Sequence, residues 1–473
     1  MKIGFFSINH LRDWGGIQTL IDQLAVGMIA KGHEVIIIAQ EGKVSSKVPV
    51  SPRDYPHELI ALDLESAEGR TAAKEKIKAS GMDICAASLG DDNFLYMPRL
   101  FSGSGIPYVI GEPGNPCVYI FERGQPYHNY GALYAADAFT VLMDVYPQFY
   151  PAALRPRAHA IGNPAPPPIE VDFAARRSRQ TRTIISVGRF SEADKRFSLL
   201  IRAFAQLCGD FPDWRLKLVG DGPFWGFYHE MAKQLGIKER VDFTGSVADP
   251  NPHYLESDIF CLPSGIFEGF GLVFVEAAAA ALPLVSFRTN MAASSMIEEG
   301  MGALAETTPD GDTPETLAAA LRPLMELSPE GREKIGIKAR DTLQARYGGD
   351  IIYDQWEKLL IDTMENTRKR GGTQLDKTLD KMKIIRDFLG DQWDELGPDS
   401  PVWTENLLEK AAAEIAGRED PIKAPTDSGA DEETESVRLR CELARMQQNY
   451  RALEKKYAAL LGQFGQKPGK RRR

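Results

Sequence analysis

The sequence predicts an α/β protein made of two Rossmann-like halves that face a cleft, followed by a helical extension. Three observations carry this. Short, continuously apolar runs alternate with segments of helical period, twice over. A Pro-rich stretch separates the two series, and the end of the chain changes to a strict heptad spacing. At roughly 100–200 residues per domain, 473 residues hold two or three domains.

The first unit is legible at once. Lys2–Ile8 is apolar, Gly15-Gly16 makes a turn, and Ile17–Lys31 spaces Leu20, Leu24 and Met28 along one helical face. The segment Lys31-Gly32-His33 closes that helix, and Glu34–Ala39 is rich in β-branched residues. Strands apolar on both faces belong to parallel sheets covered by helices. The pattern recurs more weakly at Asp83–Ser88, Pro107–Ile110 and Ala138–Leu142, which gives a first domain over 1–165.

Asn163-Pro164-Ala165-Pro166-Pro167-Pro168 then reads as a linker, extended by the basic residues Arg176, Arg177 and Arg179. A second domain follows over 180–347. Its strands are expected at Thr183–Val187, Leu216–Val219, Val241–Phe243, Ile259–Leu262 and Leu284–Phe287. Its helices are expected at Phe197–Cys208, Trp225–Gly236 and near Gly271–Ala281. Gly348–Met364 is amphipathic and defines a helical element over 348–365, and 366–433 is polar and partly helical.

Over 434–464, Leu439, Leu443, Met446, Tyr450, Leu453, Tyr457, Leu460 and Phe464 alternate at intervals of four and three. That is an a/d seam suited to homo-oligomerisation through a coiled coil over 439–464. Its two Tyr and its short length also suit a single amphipathic helix packed on its own domain. The basic tail, 465–473, reads as solvated, with attraction to an anionic membrane surface as the alternative.

Composition narrows the function classes. Lys+Arg number 56 against 66 Asp+Glu, a formal charge of -10, so sequence-blind binding to nucleic acid is excluded. The five Cys are scattered and never spaced as CxxC, which fits a reducing compartment and no Cys-built metal site. The first apolar run is too short for a signal-peptide core, and no segment reaches the ~20 apolar residues of a membrane span. These readings give a cytoplasmic protein.

The chemistry concentrates in Glu268-Gly-Phe-Gly-Leu-Val-Phe-Val-Glu276. A Gly-rich turn opens a helix there, and the backbone N–H groups of Gly269, Phe270, Gly271 and Leu272 suit a diphosphate. The two carboxylates cannot bind phosphate, since like charges repel. They are suited to accept hydrogen bonds from the hydroxyls of a sugar and a ribose. A nucleotide sugar carries that sequence of groups. Cations to complete the site come after the strand ending at Val187, as Gly188-Arg189-Phe190 and then Lys195. At the carboxyl end of a parallel strand, Arg189 and Lys195 can neutralise a leaving diphosphate, so no metal is required.

The ordered set resembles glycosyltransferase family 4, the retaining GT-B enzymes (glycosyl transferases group 1). The set comprises Gly188-Arg189…Lys195, Leu218-Val219-Gly220-Asp221-Gly222-Pro223, Val241-Asp-Phe-Thr-Gly245 and Glu268-Gly-Phe-Gly271…Glu276-Ala277. The loop Gly15-Gly16-Ile17, followed by Lys-Gly-His-Glu-Val, is similar to that family's opening, and the resemblance covers roughly 1–365. It implies that Glu268 contacts the donor sugar and Glu276 the ribose. It further implies that Arg189 and Lys195 hold the diphosphate, that the amides of Gly269–Leu272 cradle its distal phosphate, and that Gly16 approaches from the other domain. The helix after 347 is implied to cross back to the first domain.

Three departures stand out. Where many relatives have a His after the strand Pro107–Ile110, this chain has Gly111-Glu112-Pro113-Gly114, leaving Glu112 or His128 for an acceptor role. The family's usual Gly-Leu-Pro reads Ala281-Leu282-Pro283, and Pro263–Phe267 is one residue longer than common, which unsettles Ser264. The expected function is transfer of a sugar from a UDP- or GDP-sugar to a glycan or lipid-linked acceptor in bacterial surface polysaccharide or lipopolysaccharide synthesis. No cofactor is expected, and peripheral contact with the inner membrane face is. The alternatives are a sugar-nucleotide epimerase or phosphorylase, and a catalytically silent sugar-binding scaffold.

Overall fold

A computed structural model describes residues 1–7, 16–41, 54–64, 66–88, 97–98, 100–112, 114–116, 133–150, 154–266, 268–309 and 311–377. The expected coiled coil, the basic tail, most of the polar extension, Gly15 and His128 lie outside them.

Two all-parallel sheets form the molecule. The first contains β1 (Lys2–Phe6), β2 (Glu34–Gln40), β3 (Glu58–Leu62), β4 (Ile84–Ser88), β5 (Tyr108–Gly111), β6 (Ala138–Val141) and β7 (Ala158–Ala160), in the order β3-β2-β1-β4-β5-β6-β7. The second contains β8 (Arg182–Val187), β9 (Trp214–Val219), β10 (Val241–Gly245), β11 (Ile259–Leu262), β12 (Leu284–Phe287) and β13 (Gly302–Ala305), in the order β10-β9-β8-β11-β12-β13. Both are doubly wound, and the fold is the GT-B fold. Ile36, Ile37 and Ile38 are fully buried, as are Ile259, Phe260 and Cys261, so side chains on both faces of these strands are covered. That is why their sequences are unbroken apolar runs.

In each sheet the winding reverses beside its first strand, between β1 and β4 and between β8 and β11. Loops part to opposite faces at such a switch point and leave a crevice at the carboxyl ends of the strands. The loops carrying Arg189 and Lys195 (after β8) and Glu268 (after β11) flank the second switch point.

The stretch read as a linker is tightly held. Ala165 N–H donates to Tyr347 O at 2.6 Å, and Ile169 N–H donates to Ala279 O at 2.9 Å. Arg176 lies in a short helix, Phe173–Ser178, and is buried; its guanidinium donates to Ala280 O at 3.0 Å and Ala281 O at 3.2 Å. Arg176, read from the sequence as part of the linker, therefore caps the carboxyl end of helix Leu272–Ala279, where the exposed carbonyls carry partial negative charge.

The final described long helix runs from Gly349 past Met364 to Arg370 and returns to the first sheet. His33 bonds Glu357 at 2.7 Å, and Tyr353 fills the space beside Gly27. At its end Asp137, buried, accepts from Thr367 Oγ1 at 3.2 Å, from Gln374 N–H at 2.9 Å and from the Arg370 guanidinium. It also accepts from Tyr108 N–H at 3.1 Å, which ties the helix to β5. Burial pushes the Asp137 carboxyl above the ordinary range, while the Gln374 N–H and Arg370 beside it pull it back. Replacing Asp137 with Ala leaves a partly buried guanidinium without its carboxylate and three further donors without their acceptor. The expected cost is about 2–4 kcal/mol in urea unfolding, with faster amide exchange concentrated in 349–370.

Candidate active site

The loop after β8 is built on close backbone approach. Gly188, Gly220 and Gly222 have φ of 157°, 140° and 159°. A Cβ on Gly220 would lie 1.9 Å from Gly188 O, and one on Gly222 would lie 2.6 Å from Phe190 O. Phe190 N–H donates to Asp221 O at 2.8 Å, so the two Gly-containing loops form one unit. Phe190 itself is fully buried, edge-on to Phe197 and Tyr228 and stacked on Trp225 at 5.5 Å. With Phe190 as anchor, its neighbour Arg189 stays outside, 71% exposed and 2.9 Å from Asp194.

Lys195 reaches the other way. Its Nζ lies 2.6 Å from Glu268 Oε2, with side-chain exposures of 21% and 11%. The expected diphosphate ligand and the expected sugar ligand are thus paired to each other across the switch point. Glu268 is followed by Gly269, Phe270 and Gly271. Gly271 has φ 72°, and a Cβ there would meet Phe274 at 2.6 Å. It opens helix Leu272–Ala279, whose first turn has no capping side chain, and Phe274 N–H donates back to Gly271 O at 2.8 Å. Phe270 offers that turn only its backbone, because its ring is buried edge-on against Tyr347 at 5.1 Å.

Glu276 lies on the same helix and accepts a hydrogen bond from Tyr254 O–H at 3.0 Å. Burial pushes its carboxyl above the ordinary Glu range, and the Tyr254 bond pulls it partly back. Gly16 begins helix Gly16–Ala30 at the carboxyl end of β1. The structure therefore brings Lys195 and Glu268 into contact and sets Glu276 about one turn along the helix that the Gly-rich turn opens. Arg189 sits at the rim. Among the described residues no cluster of three His, Cys, Asp or Glu side chains is placed to hold a metal ion.

Sequence reasoning missed several contributors. Asn115, after β5, donates through Nδ2 to Ile266 O and, at 3.4 Å, to Glu268 O. Tyr146, after β6, donates to Gly269 O at 2.7 Å and to Glu268 O at 3.4 Å. These contacts join the carboxyl ends of the two sheets. Nothing in the spacing signals them, since they pair positions more than a hundred residues apart. Glu112 is buried and accepts from Gly114 N–H at 3.3 Å. Ser264 is fully buried, and its hydroxyl finds no partner among the described residues.

Arg196, at φ 49°, donates to Pro263 O at 3.0 Å, pairs with Asp312 at 2.8 Å and packs against Gly265. The strand-end loop is thus braced from below. Ala281, where the related pattern has Gly, sits at φ 53°. The substitution carries backbone strain of about 1 kcal/mol that Gly would not.

Comparison with known proteins follows this geometry. Residues 169–342, which contain all of the second sheet, match the family of glycosyl transferases group 1. The chain is 32% identical over 235 residues to an exopolysaccharide phosphotransferase of Streptomyces coelicolor, covering 48% of this chain and 24% of that one. It is 30% identical over 177 residues to the lipopolysaccharide core biosynthesis glycosyltransferase LpsE of Rhizobium meliloti, covering 37% and 49%. The chain thus spans between a quarter and a half of the length of these curated relatives. Anabaena HepE, solved with UDP-glucose, superposes with a TM-score of 0.61 at 18% identity over 76% of this chain and 100% of that one. The last comparison shows the shared fold. The resemblance to glycosyl transferases group 1 seen in the sequence holds for the second half.

The paired Gly loops make a sharp test. Gly220→Ala forces a Cβ into the Gly188 carbonyl and is expected to cost about 2 kcal/mol or more in chemical denaturation. Gly226→Ala, in an open helical position with nothing nearby, is expected to be neutral or to stabilise by up to about 1 kcal/mol.

Proposed function

We propose that the chain is a retaining glycosyltransferase that moves a sugar from a nucleotide-diphosphate donor to a glycan or lipid-linked acceptor. The observation that supports this best is the Lys195–Glu268 pair at the switch point, with Glu276 on the helix that the Gly-rich turn opens. An ammonium, a row of helix-terminal amides and two carboxylates in that order match a diphosphate flanked by a sugar and a ribose.

Residue roles follow from chemistry. The diphosphate approaches the amides of Gly269–Leu272 and draws Lys195 from Glu268, so the ammonium exchanges a carboxylate for a phosphate. Released from Lys195, Glu268 accepts hydrogen bonds from the donor sugar and holds the transferring ring. Arg189, already at the rim, turns from Asp194 to the phosphates. Together the two cations and the helix terminus stabilise the charge that develops on the leaving diphosphate, which removes the need for a metal. Glu276 receives the ribose hydroxyls on the oxygen that Tyr254 does not hold. The leaving phosphate oxygen helps to deprotonate the acceptor hydroxyl on the same face, so the configuration of the sugar carbon is retained. Gly16 approaches the donor from the first sheet.

The names of the relatives, exopolysaccharide and lipopolysaccharide core biosynthesis, support a role in bacterial surface glycan synthesis. No helix among the described residues is long and apolar enough to cross a membrane. From the relatives' names we infer a cytoplasmic protein that meets its acceptor peripherally at the inner membrane face.

A thermal-shift panel of UDP-, GDP- and ADP-sugars, run in EDTA, tests the reading directly. One nucleotide family should raise Tm, and Glu276→Ala should abolish the shift. No shift with any donor would overturn the proposal, and dependence of the shift on added divalent metal would overturn the metal-free part.

The raised Glu276 pKa adds a pH test. A carboxyl that holds its proton more tightly loses its charge at higher pH than an ordinary Glu as the solution is acidified. Donor affinity is therefore expected to fall about tenfold on acidification, starting above the usual Glu range. Tyr254→Phe removes the bond that lowers this pKa, so the fall should move to higher pH. In Glu276→Gln it should be absent.

A further inference from the structure

We propose that Asn115 and Tyr146 are positioning residues, which aim the backbone amides that grip the donor's distal phosphate and so make that grip conditional on contact between the two halves. This inference rests on the function proposed above and deepens it.

Both side chains are fully buried, belong to the first sheet's domain and donate to carbonyls at this end of the second domain's donor loop. Tyr146 O–H holds Gly269 O at 2.7 Å, and both residues reach Glu268 O at 3.4 Å. A trans peptide unit is planar, with its C=O and the following N–H pointing in opposite directions. No cis peptide bond occurs among the described residues. Holding Glu268 O toward the first domain therefore turns Gly269 N–H away from it, and holding Gly269 O does the same to Phe270 N–H.

Those are the first two amides of the proposed phosphate cradle. Glycine at 269 and 271 leaves the backbone there soft, because a residue without Cβ rotates its flanking peptides at little cost. Without the two donors, rotation of either peptide would present a carbonyl oxygen to the diphosphate where an amide is needed. The next residue is pinned too, by the Phe270 ring against Tyr347. The second domain thus supplies the charges, while the first fixes the direction of the dipoles beside them.

The test separates direction-setting from stability. Tyr146→Phe removes one oxygen from a buried ring. Asn115→Ala and the double variant extend the series. Calorimetric affinities are measured on the full chain for the nucleoside diphosphate that binds the wild type and for the matching monophosphate, which lacks the distal phosphate. In Tyr146→Phe, diphosphate affinity is expected to fall about tenfold, while monophosphate affinity changes less than twofold. The double variant should lose more of the diphosphate preference. Unchanged diphosphate affinity in a folded Tyr146→Phe would overturn the inference, as would an equal loss for both nucleotides. A wild type that binds neither nucleotide would instead overturn the function on which the inference rests.

Discussion

The arrangement of the two sheets depends on one narrow crossing. The chain passes between the halves twice, near 162–165 and at 347–348, and the two passages are hydrogen-bonded side by side through Ala165 and Tyr347, with a parallel bridge between Ala165 and Gly348. Gly162 has no room for a side chain there. A Cβ would lie 2.7 Å from Tyr347 and 2.8 Å from Phe270. Phe270 is also the centre of the Gly-rich turn. The hinge and the candidate donor loop therefore share one aromatic contact, so a change in the angle between the halves is felt at the turn. Asp137, at the far end of the returning helix, fixes the same geometry from the other side.

Electrostatics sets how the charges of the site are held. An ammonium and a carboxylate, each largely withdrawn from water, would be costly alone, and pairing Lys195 with Glu268 offsets that cost. In the proposed function, a diphosphate entering the site competes with Glu268 for Lys195, so part of its binding energy is used to free the carboxylate that the sugar then needs. Glu276 is treated differently. Its partner is a neutral hydroxyl, which leaves its charge uncompensated, and burial accordingly raises its pKa.

The fold was legible where local pattern and tertiary role agree. Ile259–Leu262 and Leu284–Phe287 are strands in sequence and structure alike, because buried parallel strands need no alternation. Gly302–Ala305 escaped because Gly-Ala-Leu-Ala has weak β propensity, and only its place beside β12 makes it a strand. Helices Pro314–Glu326 and Pro329–Tyr347 were marked by Thr313-Pro314-Glu315 and Ser328-Pro329-Glu330, an N-cap followed by Pro and an acid. That signal is local and was available. The basic residues at 176–179 read as an extension of the linker, whereas the Arg176 guanidinium satisfies carbonyls at a helix end. At the site, the charged residues were legible as a motif. Asn115 and Tyr146 were not, since a neutral side chain bonding a distant carbonyl leaves no period or spacing behind.

This division has a physical reason. On the proposed function, charge must be placed close to the diphosphate, so it resides on the loops at one switch point and appears as a compact motif in one half of the chain. Direction is cheaper to supply, because a single neutral hydrogen bond to a carbonyl reorients a peptide dipole without burying a charge. It can come from any surface that closes over the loop, here the first sheet. A site built this way binds its donor most tightly when the halves are together. By reciprocity the donor must then favour the joined state by the same free energy. The acceptor, expected on the first sheet's side, therefore meets a donor whose phosphate is held through residues of its own domain.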